Sequence, residues 1–314
     1  MKTSTRPTVI TPNVLRRMPL PLPEEGGDKE ERGRVLVVGG SRETPGAVVL
    51  AGTAALRAGA GKLQLATVAT NAPLVAASVP ESRVFALPET KTGKLAKAAC
   101  ARLEEQIGEA QTVCIGPGMI EDESVVRFVV EALRLCECVP VLLDAGAIAC
   151  LGGSVKLLHT LGGRAVVTPN AEELADIYGE EKEKIKRAPL ESARRAARDF
   201  RAVVVLKGRE TFVASPAGEV YVNRAGGVGL ATSGAGDVLA GVIAGLFARG
   251  AEPLRAAAWG VYVHALAGER LTKRLGPLGF LARELLAEIP PVLSELSGGH
   301  RSRTAAGGHA GESD

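Results

Sequence analysis

Short β-branched runs alternate with longer helices of small residues along most of this chain, and that alternation restricts it to α/β architectures. The runs at 34–38 and at Val203-Val204-Val205-Leu206 are apolar at nearly every position. A strand tolerates this only when helices cover both of its faces, as they do in a parallel sheet. Strands are predicted at 34–38, 63–68, 83–87, 112–115, 139–143, 164–167 and 202–206. A helix opens at Pro45 and closes at Gly59-Ala60-Gly61, with proline at its start and glycine at its end. Further helices are predicted at 93–107, 122–135, 171–178, 190–200, 238–248, 254–271 and 280–289. Segments 211–214 and 219–222, separated by Ser-Pro-Ala-Gly, read as a hairpin that interrupts the alternation. There is no internal repeat.

The chain has 314 residues, 46% of them hydrophobic, enough for a full core in one large α/β domain or two smaller ones. Its 38 basic residues nearly balance 35 acidic ones, leaving a net charge of +3 that implies neither a nucleic-acid nor a membrane partner. The five cysteines (Cys100, Cys114, Cys136, Cys138, Cys150) are odd in number and scattered through apolar segments, so they read as buried reduced thiols. No apolar run precedes Pro19 and no stretch approaches the ~20 apolar residues of a membrane span, so a cytoplasmic address is expected by default. Residues 1–32, with Pro-Leu-Pro-Leu-Pro and a charged run, are expected to form a partly flexible arm with few apolar anchors. Residues 33–296 are expected to form the folded domain, and 297–314, without periodicity, a disordered tail.

Ala231-Thr232-Ser233-Gly234-Ala235-Gly236-Asp237 is a glycine-rich turn running into an apolar helix, with one acid at the junction. Glycines there let successive N–H groups point at a phosphate, and the helix adds its positive dipole end. Asp237 repels a phosphate unless a metal or a substrate hydroxyl lies between them, which is the arrangement phosphoryl transfer requires. Its plainer use is to favour the helix dipole.

Polar and glycine residues follow five of the strands: Gly39-Gly40-Ser41, Gly116-Pro117-Gly118, Asp144-Ala145-Gly146, Thr168-Pro169-Asn170 and Lys207-Gly208. Right-handed crossovers bring all five to one edge of a parallel sheet, where ligands bind. Each also has an ordinary structural use, Asn170 and Asp144 as helix caps, the glycines in turns, and Lys207 in solvent.

These blocks, with Gly46-Ala47, the Ala55–Gly61 run, Glu173 and Gly234-Ala235-Gly236-Asp237, resemble the ADP/ATP-dependent NAD(P)H-hydrate dehydratase family over about 32–290. The resemblance implies a ribokinase-like α/β fold with a mostly parallel central sheet flanked by helices. It also implies a lyase that repairs damaged NADH or NADPH hydrate by phosphorylating the C6 hydroxyl and eliminating phosphate. Asp237 is then the catalytic base. Lys207, Gly208, Arg209, Glu210, Thr211, Gly227, Thr232, Ser233, Gly234, Ala235 and Gly236 bind ADP or ATP with Mg2+, whose ligands the sequence leaves unknown. Ala47, Gly118, Asn170 and Glu173 lie toward the NAD(P)H hydrate, together with Asp237. A homo-oligomer is expected, because Ala- and Gly-rich helices allow close packing and family members commonly assemble. A separate epimerase is a further expected partner, since this chain lacks the epimerase domain often fused to the family.

The chain departs from the family pattern where Asn170 and Glu172 replace a histidine and a glycine, and where Gly226-Gly227-Val228-Gly229 replaces Gly-Asn-Pro-Gly. Two other readings stay open: a small-molecule kinase of the sugar, hydroxyethylthiazole or pyridoxal type, and a binding or regulatory module on the same fold. The retained Asp237 disfavours the last.

Overall fold

The computed structural model describes residues 6–22, 28–152 and 155–298. Ten strands form one sheet: β1 (Thr8–Val9), β2 (Arg34–Val38), β3 (Lys62–Val68), β4 (Ser82–Leu87), β5 (Thr112–Ile115), β6 (Val141–Leu143), β7 (Ala165–Val167), β8 (Val203–Leu206), β9 (Thr211–Ala214) and β10 (Val220–Asn223). Their spatial order is β1-β10-β9-β8-β7-β6-β5-β2-β3-β4. From β4 to β8 every pairing is parallel, whereas β9 runs antiparallel to both β8 and β10. The hairpin therefore breaks the alternation as its spacing predicts.

The unbroken apolar runs feed two cores at once. Val35, Val37, Val203 and Val205 pack on one face with helices Gly46–Arg57, Ala235–Ala248, Pro253–Leu275 and Ala282–Leu296. Leu36, Val38, Val204 and Leu206 pack on the other with Glu123–Leu135, Ala171–Tyr178 and Pro189–Phe200. Successive side chains of a strand point to opposite faces, so both must be apolar when both are covered.

Helices Gly46–Arg57 and Ala235–Ala248 approach closely because glycines line the contact. A Cβ on Gly241 would strike the Ala51 carbonyl, and one on Gly245 would lie 2.5 Å from the Ala55 carbonyl. Gly52 packs on Leu65 and Gly260 on Ile243 in the same way. The small-residue faces from which an oligomer was expected are thus used inside the chain.

Two of the predicted helices change. The helix expected at 93–107 is a turn around Gly93 (φ +77°), then a 3-10 segment Lys97–Arg102 and a short helix Glu104–Glu109. A residue in the left-handed region cannot lie within an α-helix. The helix expected to stop at Ile289 runs on through Pro290 and Pro291 to Leu296, because Ile289, Val292, Leu293 and Leu296 bury against the core and offset the missing N–H groups.

The expected arm, as far as residues 6–22 are concerned, is anchored. β1 pairs in parallel with β10, the Ile10 N–H donates to the Val222 carbonyl at 2.9 Å, and Leu15 of helix Pro12–Arg17 is fully buried. Trp259 Nε1, Arg255 and Arg249 then donate to the carbonyls of Met18, Pro19 and Pro21. These anchors are spread along the segment and their partners lie more than 200 residues away, so local composition does not reveal them. The expected tail beyond 298 lies outside the described residues. All five cysteines are unpaired, and Cys138 is exposed rather than buried. Leu15→Ala is expected to cost ~2–5 kcal/mol in urea denaturation; a loss below ~0.5 kcal/mol would show that the segment is not part of the core.

Candidate active site

The turn before helix Ala235–Ala248 is built from a hydrogen bond between the Ala235 N–H and the Thr232 carbonyl (3.2 Å) and from Gly234 at φ +87°. Gly234 is required twice over, since a Cβ would also come within 2.6 Å of Leu50 Cδ1. That packing seats the turn on the helix that starts at Gly46. Gly236 faces the reactive side: a Cβ there would lie 3.9 Å from Lys207 Nζ and 4.0 Å from Asp144 Oδ2. Free N–H groups, a helix dipole, one cation and one carboxylate therefore meet within a few ångströms.

Asp144 follows β6 and is almost fully buried. Its Oδ1 accepts from Lys207 Nζ at 2.9 Å and from Thr168 Oγ1 at 2.6 Å. Glu173 stands 3.8 Å from the same ammonium. Burial alone would push the Lys207 pKa down, but the carboxylates of Asp144, Glu173 and Asp237 more than offset it, and the net shift is upward. Lys207 is thus held as a cation. The Glu173 pKa is raised by burial, against the pull of Lys207.

Asp237, in the first helical turn, is pushed up to about 7, first by burial and then by the negative charge of Asp144, with Lys207 opposing. A carboxyl with this pKa is half ionised near neutrality, as a general base requires. Beneath it the Cys114 thiol is kept protonated by burial and by the same two carboxylates. Ala145, directly after Asp144, sits at φ 47°, ψ −125°, a strained conformation for a residue with a side chain.

The strand exits are joined to one another. A Cβ on Gly116 (φ +123°) would strike the Asp144 carbonyl, and one on Gly39 the Pro117 carbonyl. Gly118 (φ +69°) lets Ala47 approach, with a virtual Cβ 2.7 Å from the Ala47 Cβ. The Thr44 hydroxyl donates to the Gly118 carbonyl at 2.6 Å and lies 2.7 Å from Ser41 Oγ. Ser41, Gly118, Asp144, Asn170 and Lys207 all follow parallel strands and so lie on one edge, and Gly236 brings Asp237 to it.

Asn170 caps helix Ala171–Tyr178: its Oδ1 accepts from the N–H groups of Glu172 (2.7 Å) and Glu173 (3.0 Å), while Glu173 returns a bond to the Asn170 N–H. Only its amide NH2 remains for a ligand.

A cleft of about 940 Å3 opens beside the turn, and Lys207, Gly208, Arg209, Thr211, Gly227, Ala235 and Gly236 line it as the sequence suggests. Thr232, Ser233 and Gly234 form the turn itself. Glu210 lines a neighbouring hollow instead, and its carboxylate accepts from Arg224 Nε at 2.6 Å. The sequence reading missed Asn223, Leu239, Val261, His264 and Ala265, which line the cleft as well, and Asn170, expected toward the hydrate, lines it too. The spacing of 261, 264 and 265 is a helical face, but only packing shows that it faces the cleft.

An open sheet with its phosphate-type turn and acid at the strand exits defines a ribokinase-like, nucleotide-dependent class. The model of the NAD(P)H-hydrate dehydratase family matches residues 35–291, and the chain belongs to that family. A protein of Xanthomonas campestris pv. campestris named ADP-dependent (S)-NAD(P)H-hydrate dehydratase is 47% identical over 297 residues, 95% of this chain and 100% of that one. The bifunctional NAD(P)H-hydrate repair enzyme of Moorella thermoacetica is 40% identical over 93% of this chain, which spans 55% of it. The solved structure of the Bacillus subtilis ADP/ATP-dependent NAD(P)H-hydrate dehydratase, co-crystallised with ATP/Mg2+, superposes with a TM-score of 0.77 at 28% identity, covering 93% of this chain and 100% of that one.

The raised Asp237 pKa has a consequence for stability. Where the folded pKa exceeds the unfolded one, the contribution is fully present below the unfolded value and is lost as pH rises through about 7. Asp237→Asn removes that loss. At pH 8 the variant is expected to be more stable than the parent by ~2 kcal/mol, discounted from the full shift for partial exposure, with the gap closing by about pH 4. Urea titrations at the two pH values test this, and an equal gap at both would refute the assigned shift.

Proposed function

We propose that the chain dehydrates NADH or NADPH hydrate in a nucleotide-dependent reaction, with Asp237 as the general base. The observation that carries this reading is the Asp237 carboxyl, poised near neutrality at the mouth of an anion-binding turn. Hydroxide is a poor leaving group, so the C6 hydroxyl of the hydrate must first be activated. Asp237 takes its proton as the oxygen attacks the terminal phosphorus of ADP or ATP, and the nucleotide leaves one phosphoryl shorter. The ring nitrogen then pushes its electron pair toward C6, the C6–O bond breaks and phosphate departs. Loss of a proton from C5 restores the reduced nicotinamide.

The Gly234 and Gly236 N–H groups and the Lys207 ammonium stabilise the phosphoryl charge, the Ala235 N–H being held by the Thr232 carbonyl. Lys207, Gly208, Arg209, Thr211 and Gly227 hold the nucleotide, while Ala47, Gly118 and Glu173 line the hydrate side, with Asn170 at the border of the two because it also lines the cleft. Mg2+, which would shield phosphate charge, would be held through Asp144 Oδ2, which is directed toward Gly236 while Oδ1 is taken by Lys207 and Thr168. One or two carboxylates with substrate phosphates and waters are what this ion uses.

The same reading places the chain in the cytoplasm, as a homo-oligomer without nucleic-acid or membrane partners, beside a separate epimerase; the bifunctional relatives support that last association. Among the described residues no helix is long and apolar enough to cross a membrane. Light scattering at micromolar concentration tests the oligomer, and a monomer would remove it without touching the chemistry.

The deciding experiment incubates the protein with NADH hydrate, Mg2+ and either ADP or ATP, following reduced-nicotinamide absorbance and free phosphate. Both are expected to rise together. A stable phosphorylated product without return of absorbance would mark a kinase instead. Asp237→Ala is expected to lower turnover by ~10² or more with nucleotide affinity intact, because the backbone amides remain. Turnover of the parent is expected to rise with pH through about 7, as Asp237 ionises; a flat profile from pH 5.5 to 8.5 would reassign the base.

A further inference from the structure

One wall of the cleft is a strap of backbone, residues 225–231, that runs from the end of β10 into the phosphate turn. Ala225, Gly226, Gly227, Val228, Leu230 and Ala231 all line the cleft. With glycine at 226, 227 and 229, the strap has little stiffness of its own. Its second half is gripped by packing: a Cβ on Gly268 would come within 2.6 Å of Leu230, and one on Gly229 within 2.3 Å of the Phe280 ring. Its first half is held by hydrogen bonds instead. Asn223 Nδ2 donates to the Ala225 carbonyl at 2.9 Å, close by in the chain. Glu269 reaches in from helix Pro253–Leu275, 43 positions away in sequence, and its Oε1 accepts the Gly226 N–H at 2.9 Å. Gly226 is also where the strap bends, at φ +103°.

We propose that Glu269 is a positioning residue for the nucleotide co-substrate: by holding the Gly226 N–H it keeps the strap in the one conformation that forms the cleft wall. The inference rests on the reading that this cleft takes ADP or ATP. Glu269 itself stands outside the cleft lining, so it acts through the strap and not on the ligand. A hydrogen bond from a backbone N–H to a carboxylate is roughly twice as strong as one between neutral groups, which suits it to pinning a glycine-rich segment. Without that bond the strap samples a wider set of conformations, and the apparent affinity for nucleotide falls by the fraction of time the cleft-forming one is populated. The turn that carries Asp237 is seated separately, through Gly234 on Leu50. Loss of the Glu269 contact therefore falls on nucleotide binding and leaves the chemical step in place.

The test compares the parent with Glu269→Met and Glu269→Gln, two side chains of nearly equal length of which only glutamine keeps a strong acceptor. ADP binding is measured by calorimetry, amide exchange over 225–231 by mass spectrometry, and turnover of NADH hydrate alongside. Methionine is expected to weaken ADP by about tenfold, to raise the KM for ADP in step, and to leave kcat and the KM for NADH hydrate unchanged. Exchange in the strap is expected to quicken in Glu269→Met and to slow again at saturating ADP. Glutamine is expected to recover most of the affinity and of the protection. Equal ADP affinity in Glu269→Met and the parent, unchanged exchange in the strap, or a fall in kcat without a rise in KM would overturn the proposal, as would a parent that binds no ADP. The expected pattern of binding and exchange without turnover of NADH hydrate would leave Glu269 as the positioning residue while refuting the hydrate-repair reading.

Discussion

The ion pair between Lys207 and Asp144 is the contact on which the site depends. It joins the exits of β6 and β8, with Thr168 and Glu173 supplied from the exit of β7 between them. Burying two charges is expensive, and their attraction repays it only when the remaining lone pairs are also satisfied. Here the Thr168 hydroxyl and the second carboxylate do part of that work. As a structural device alone, an apolar pair in this place would serve as well or better. What an apolar pair could not supply is a fixed cation beside Gly236, facing N–H groups that point at the same space. The pair is therefore better understood as a stored electrostatic field than as a source of stability.

That field is useful only if the turn facing it does not move. Gly241 and Gly245 let helix Ala235–Ala248 rest against the backbone of the helix that starts at Gly46, and Gly234 rests on Leu50 of the same helix. Backbone contact leaves little room for sliding, because interiors are close-packed and bistable rather than soft. Ala47 and Gly118, proposed for the hydrate side, meet at the first turn of that same helix, so one rigid element would carry both halves of the proposed site. Small residues that look permissive in the sequence are, in the fold, the tightest contacts.

Much of this was legible in the sequence where the signal is local. β5 at 112–115 and the helix at 171–178 fall on their predicted residues, since a continuous apolar run and the Asn170/Glu173 capping pattern act within a few positions. Gathering the five strand exits on one edge followed from parallel topology alone. The rest required the third dimension. Gly93 hides a left-handed turn inside a helical composition, and Leu15 finds its pocket only once distant helices have packed. His264 and Asn223 enter the cleft from a helix and a hairpin whose orientations no short window encodes. Glu210, which the sequence places with the nucleotide, is drawn off by Arg224 from the facing strand end.

The charges around Asp237 also set what the proposed site needs for its base to work. Asp144 and burial hold the carboxyl protonated below about pH 7, and Lys207 pulls the other way. Nucleotide phosphates arriving at the turn add negative charge on the same side as Asp144, which by itself would disfavour the ionised base. A divalent cation arriving with them adds positive charge in the same place and cancels that effect. Phosphate and cation together would therefore leave the proposed base about half ionised near pH 7, as it is without them, whereas phosphate alone would hold it as the neutral acid. A protonated Asp237 cannot accept a hydroxyl proton, so in the proposed reaction a cation is needed beside the phosphoryl donor to keep the base available.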